Sequence, residues 1–178
     1  MKRVRTLCLA LLAGVAAPVM ALPDDASQPI RIQANSATLD DRRNTAVYSG
    51  NVIITQGSMR LTGSRVTLNT DQAGEVSKIV AQGSPATYRQ TPDADSKPVD
   101  ARALTIEYHA DVERVVLIDQ AFLEQAGNTF QGQRVSYDIQ RQVVDAGRAS
   151  SGDDDTAERI EIIIQPRKRT EPATNDET

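Results

Sequence analysis

A nine-residue phrase, apolar–x–small–x–x–apolar–x–apolar–x, occurs four times in this chain of 178 residues, and every copy has strand-forming chemistry. The copies begin at Ile32 (I-Q-A-N-S-A-T-L-D), Leu61 (L-T-G-S-R-V-T-L-N), Val99 (V-D-A-R-A-L-T-I-E) and Phe130 (F-Q-G-Q-R-V-S-Y-D), with starts 29, 38 and 31 residues apart. A period of roughly 20–50 residues marks stacked architectures in which each unit covers its neighbour's apolar face. Side chains alternate along a strand, so Ile32 and Ala34 share one face while Ala37 and Leu39 share the other. The same change of parity separates Leu61/Gly63 from Val66/Leu68, Val99/Ala101 from Leu104/Ile106, and Phe130/Gly132 from Val135/Tyr137. One extra residue at a bulge or corner returns all four positions to a single interior. This predicts strands folded around an elongated interior, a jelly roll or β-taco. The alternative is two short independent hairpin strands per phrase.

The remaining segments fit an all-β chain. Residues 22–29 read as an unstructured leader, with strand signals beginning at Ile30-Arg31-Ile32. Asp40 to Asn44 is a polar turn, Gly50-Asn51 a bulge or tight bend inside Thr45 to Gln56, and Gly57-Ser58 a turn. Gly83-Ser84-Pro85 is expected to break the strand that starts at Val76, and the Pro-containing stretch Gln90 to Pro98 to separate two halves. The β-domain is placed at 22–147, followed by a small, acidic hinge (148–158), a terminal edge strand (159–166) and a charged, disordered tail (167–178). Ahead of them, Lys2, Arg3 and Arg5 precede the apolar run Leu7 to Val15, and Val19-Met20-Ala21 has the form of a cleavage site: residues 1–21 read as a secretory signal peptide. Its removal leaves 157 residues without cysteine, since Cys8 is the only one, and hence without disulfides. The 20 basic residues fall to 17 against 24 acidic, a net charge of −7. An acidic balance argues against nucleic acid as a partner.

Around Gly50 to Gly57 (G-N-V-I-I-T-Q-G), preceded by Ala46-Val47-Tyr48-Ser49, the chain resembles the lipopolysaccharide transport periplasmic protein A family. Gln28-Pro29-Ile30, Pro85-Ala86-Thr87-Tyr88, Lys97-Pro98-Val99 and Val115-Val116-Leu117 extend the likeness over about residues 28–165. The resemblance implies an elongated, twisted, open β-jelly roll of repeated antiparallel strands. It also implies a periplasmic bridge that binds lipopolysaccharide and passes it between related jelly-roll domains of inner-membrane and outer-membrane transport components.

The cargo fits the strand pattern. Exposing acyl chains to water costs about 0.8 kcal/mol per methylene, so a trough with one apolar face lowers the cost of crossing an aqueous compartment. Candidate lining residues are Ile30, Ile32, Val52, Ile54, Tyr88, Leu104, Ile106, Tyr108, Phe122 and Tyr137, and any of them can equally be ordinary core. Arg65, Lys78, Arg89 and Arg134 are candidates for lipid phosphates at the rim. Ile30 to Ala34 and Arg159 to Gln165 are edges able to pair with another copy, head to tail, or to cover the protein's own sheet. Enzymatic readings are poor. His109 is the sole histidine, there is no mature thiol, Asp153-Asp154-Asp155 lacks the spacing of a calcium loop, and no cofactor motif occurs. The rival readings are a structural or adhesive β-solenoid with a filled core and, further off, an enzyme acting on a polysaccharide.

Overall fold

The two-residue periodicity becomes one continuous antiparallel sheet of ten strands. The computed structural model describes residues 25–93, 95–147 and 159–166; the signal sequence, the acidic hinge and the tail expected above lie outside them. The strands are β1 (Arg31–Gln33), β2 (Ser36–Asp40), β3 (Thr45–Gln56), β4 (Met59–Thr70), β5 (Val76–Gln90), β6 (Val99–His109), β7 (Arg114–Gln125), β8 (Asn128–Asp138), β9 (Val143–Gly147) and β10 (Glu161–Ile163). From β3 to β8 each strand pairs with the next. At one end β1 and β2 lie in tandem along β3; at the other, β10 and β9 lie in tandem along β8. The sheet does not close on itself.

Every long strand carries a register shift near its middle. The shifts fall between Ser49 and Val52, Thr62 and Arg65, Gln82 and Ala86, Arg102 and Thr105, and Ile118 and Ala121. Aligned across the sheet, they fold it along one line, the spine, into two facing layers around one core. The first layer holds β1, the C-terminal halves of β3, β5 and β7, the N-terminal halves of β4, β6 and β8, and β10. The second holds β2, β9 and the complementary halves. The strand ends and turns of both layers form the opposite side, the mouth.

The spine explains the small residues of the repeat. In β3 the extra residues are Gly50 and Asn51, with φ of +82° and +47°, the left-handed region that glycine enters freely and asparagine tolerates. In β4 the main chain of Gln82 comes so near that a Cβ on Gly63 would lie 2.7 Å from its carbonyl oxygen. With the extra residues absorbed there, Leu61, Val66 and Leu68 point into one core despite their change of parity.

Six expectations change. Residues 25–27 form a 3-10 turn bonded to the sheet rather than an unstructured leader. Gly83-Ser84-Pro85 bends β5 but does not end it, and the loop from Thr91 to Pro98 joins adjacent strands, so the sheet has no two halves in sequence. In the third phrase the corner lies after Ala103, and Ile106 and Tyr108 follow it on the inside; Leu104 is half-buried at the corner. In the first phrase Ala34 and Ala37 are exposed and Leu39 is 67% exposed, because β2 has a neighbour on one side only. The last strand is shorter than 159–165 and pairs within the chain, Ile162 opposite Phe130.

Candidate functional site

The interior between the layers is where the sequence concentrates its apolar side chains. Of the candidate residues, Val52, Ile54, Tyr88, Ile106, Tyr108 and Tyr137 are buried in it, and Ile30 and Ile32 pack against it half-buried. Val52, Ile54 and Tyr88 come from the first layer; Ile106, Tyr108 and Tyr137 come from the second. Leu61, Met59, Ile79, Leu117, Leu123 and Val135 complete the space. Their own side chains fill it, so a hydrocarbon guest has to part the layers.

Two groups of expected residues stand elsewhere. Phe122 lies on the outer face, since its neighbours Ala121 and Leu123 both point inward. Its ring is covered by the Arg102 guanidinium, 3.7 Å from the centroid, a cation–π contact that shelters an aromatic outside the core. The four basic candidates also leave the rim. Arg65 and Arg134 sit beside the inward Val66 and Val135 next to the spine, far from the mouth. Arg89 Nη1 donates to both carboxylate oxygens of Asp100, at 2.8 and 3.1 Å, on the outside of the first layer. Lys78 Nζ is 3.0 Å from Glu107 Oε1 on the outside of the second. His109 Nε2 lies 3.1 Å from the other oxygen of Glu107. Burial alone would raise the Glu107 carboxyl, but its hydrogen bonds with Lys78 and His109 win and hold it below its ordinary value.

The mouth is polar, in a pattern visible in the sequence but not read from it. The last inward-pointing residue of β3, β5 and β7 is in each case a glutamine: Gln56, Gln90 and Gln125. Gln56 and Gln90 are buried. The Tyr88 hydroxyl donates to Gln90 Oε1, and the Gln90 amide donates to Asp25 Oδ2 at 2.8 Å. Burial, reinforced by the neighbouring Tyr108 and Tyr137 hydroxyls, pushes the Tyr88 phenol well above its ordinary pKa. On the other side, Gln142 from the second layer donates to Asp93 Oδ2 at 2.8 Å in the first-layer loop, linking the two lips. Among the described residues no group of three or more His, Cys, Asp or Glu is arranged to hold a metal. The site offers shelter to an apolar guest, with amides and phenols at its entrance.

An unclosed, folded antiparallel sheet with an apolar interior is also the architecture of known proteins. The family model described as "LptA/(LptD N-terminal domain) LPS transport protein" matches residues 31–143. The chain belongs to this family. It is 48% identical over 153 residues to the lipopolysaccharide export system protein LptH of Pseudomonas aeruginosa, covering 85% of this chain and 87% of that protein. To the lipopolysaccharide export system protein LptA of Escherichia coli K12 it is 31% identical over 157 residues, 87% of this chain and 80% of the relative. Its fold superposes on the crystal structure of Pseudomonas aeruginosa LptH with a TM-score of 0.74 and 48% identity, covering 81% of this chain and 100% of that one. That protein is described as the LptA-homologous periplasmic component of the conserved lipopolysaccharide transport device. The open jelly roll expected from the sequence is thus the family's fold, and the family is one of carriers, not enzymes.

Proposed function

We propose that this protein is a periplasmic carrier that holds the acyl chains of lipopolysaccharide between its two layers and passes the lipid along a bridge of related jelly-roll domains. The observation that carries the reading is the folded, unclosed sheet, whose interior is apolar on both layers. Such an interior can hold fatty chains that would each cost about 0.8 kcal/mol per methylene in water. The layers are joined covalently at the spine and by side-chain contacts without strand crossings at the mouth, so they can part on one side. The test is a photo-crosslinking benzophenone side chain placed in vivo at Ile32, Tyr108 or Phe122. Lipopolysaccharide adducts are expected at Ile32 and Tyr108 and not at Phe122, which points outward. Adducts at none of the three, or at Phe122 alone, would favour the filled solenoid.

The bridge requires docking at the ends of the sheet. β1/β2 and β9/β10 are its two edges, and each leaves apolar side chains uncovered: Leu39 at one, Val143, Ile162 and Ile163 at the other. Pairing of one edge with the opposite edge of a second copy or of a related domain would continue both layers and lengthen the interior. Removing residues 159–165 should reduce self-association in sedimentation while the β circular-dichroism signal persists. Unchanged assembly would remove β10 from the contact.

A further inference from the structure

We propose that residues 25–28 are a displaceable strap that shuts the mouth of the interior and has to swing away before a lipid chain can enter. The proposal rests on the lipid-carrier reading above and assigns a gate to it.

The strap is a single 3-10 turn, Asp25–Ser27, closed by the Gln28 amide donating to the Asp25 carbonyl at 3.0 Å. It lies across the first-layer lip, against the ends of β3 and β5 and the turn into β4. Asp25 is its anchor. One carboxylate oxygen accepts from the Ser58 amide at 2.6 Å; the other accepts from the Ser58 hydroxyl at 2.5 Å and from Gln90 Nε2 at 2.8 Å. Gln56 Nε2 donates to the Ala26 and Gln28 carbonyls, both at 3.1 Å, and so grips the strap from inside. Both buried polar side chains of the described core, Gln56 and Gln90, are therefore used to hold this one segment.

Two features mark the contact as a latch. No strap residue is buried, and Ala26 and Ser27 are exposed, so its release uncovers little apolar surface and breaks mainly hydrogen bonds. The strap also borders a pocket of 150 Å³ whose walls come from both lips, among them Asp25 and Gln90 on one side and Tyr108, Ile139 and Gln142 on the other. Swinging the strap out widens that pocket toward Tyr88 and Tyr108. It also frees the Gln90 amide for the polar groups at the head of an acylated sugar.

Residues 22–178 contain no cysteine, so an introduced pair can lock the strap reversibly. Asp25→Cys/Ser58→Cys joins the residues that the anchor links, and the oxidised and reduced forms carry the same side chains. Association of fluorescently labelled lipopolysaccharide, followed by stopped flow, is expected to be about tenfold slower in the oxidised form and to recover on reduction; Gln56→Leu, which loosens the grip without changing charge, is expected to make it about tenfold faster. Equal rates in the oxidised and reduced forms, or an unchanged rate for Gln56→Leu, would overturn the strap while leaving the carrier intact. Failure of the parent protein and every variant to bind would overturn the carrier reading and the strap with it. Should one variant not fold, judged by circular dichroism, the other decides.

Discussion

The spine and the mouth join the same two layers by different physics. At the spine each strand from β3 to β8 crosses from one layer to the other, so the connection is covalent and repeated across the sheet. Its side chains are small because backbone approaches backbone: Gly50 at positive φ, Gly63 against the Gln82 carbonyl. At the mouth no strand crosses. There the lips are linked by hydrogen bonds from Gln142 to Asp93 and Ser96 in the facing loop, bonds that water can replace with little net loss. A molecule built this way has one stiff side and one side that yields, and a guest can enter only at the second.

The largest test of the contrast is a change that damages the stiff side. Gly63→Val puts a branched side chain where a Cβ alone would stand 2.7 Å from a main-chain oxygen, with no flexible group to move aside. It is expected to cost about 3 kcal/mol, the upper range for overpacking, and to appear as a clear drop in the thermal midpoint. A variant as stable as the parent would mean that the spine flexes, and the hinge would have to be placed elsewhere.

Much of this geometry was legible. The change of parity called for an extra residue, and register shifts supply it beside Gly63 and Gly132, while in the third phrase the corner falls after Ala103 and not after Ala101. Gly50-Asn51 marked the bulge in β3 because few other residue pairs accept positive φ twice in succession. What failed did so for identifiable reasons. Phe122 was among the lining candidates, yet in Ala121-Phe122-Leu123 alternation turns the ring outward, where Arg102 makes exposure tolerable. The first phrase has the same pattern as the others, but a pattern does not encode being last in the stack, and Leu39 is left in the open. The basic rim was a matter of composition; Lys78 and Arg89 are paired with Glu107 and Asp100 on the outer faces, and Arg65 and Arg134 stand beside the spine. The strap left no local sign: Asp25 and Gln90 are 65 residues apart. The glutamines ending β3, β5 and β7 were a readable signal, polar residues at inward parity beside a turn, which simply looked like strands running out.

The smaller test uses alkali, because the two sides differ in what titrates. Tyr88 reaches toward the mouth, donates to Gln90 and has its pKa raised by burial; Tyr137, beside the end of β8 in the second layer, is raised by burial too. Below about pH 10, the ordinary tyrosine value, both phenols stay protonated in the folded and unfolded chain and stability does not depend on them. Above it the unfolded chain loses its protons first, so stability falls with rising pH until the raised folded values are passed. Tyr88→Phe is expected to cost about 1 kcal/mol at neutral pH, the worth of one hydrogen bond, and to make the alkaline decline shallower, leaving the part that belongs to Tyr137. Urea titrations at pH 8 and pH 11 measure both quantities. If the decline were as steep in the variant, the Tyr88 hydroxyl would already be open to water, and the mouth would be ajar before any guest arrives.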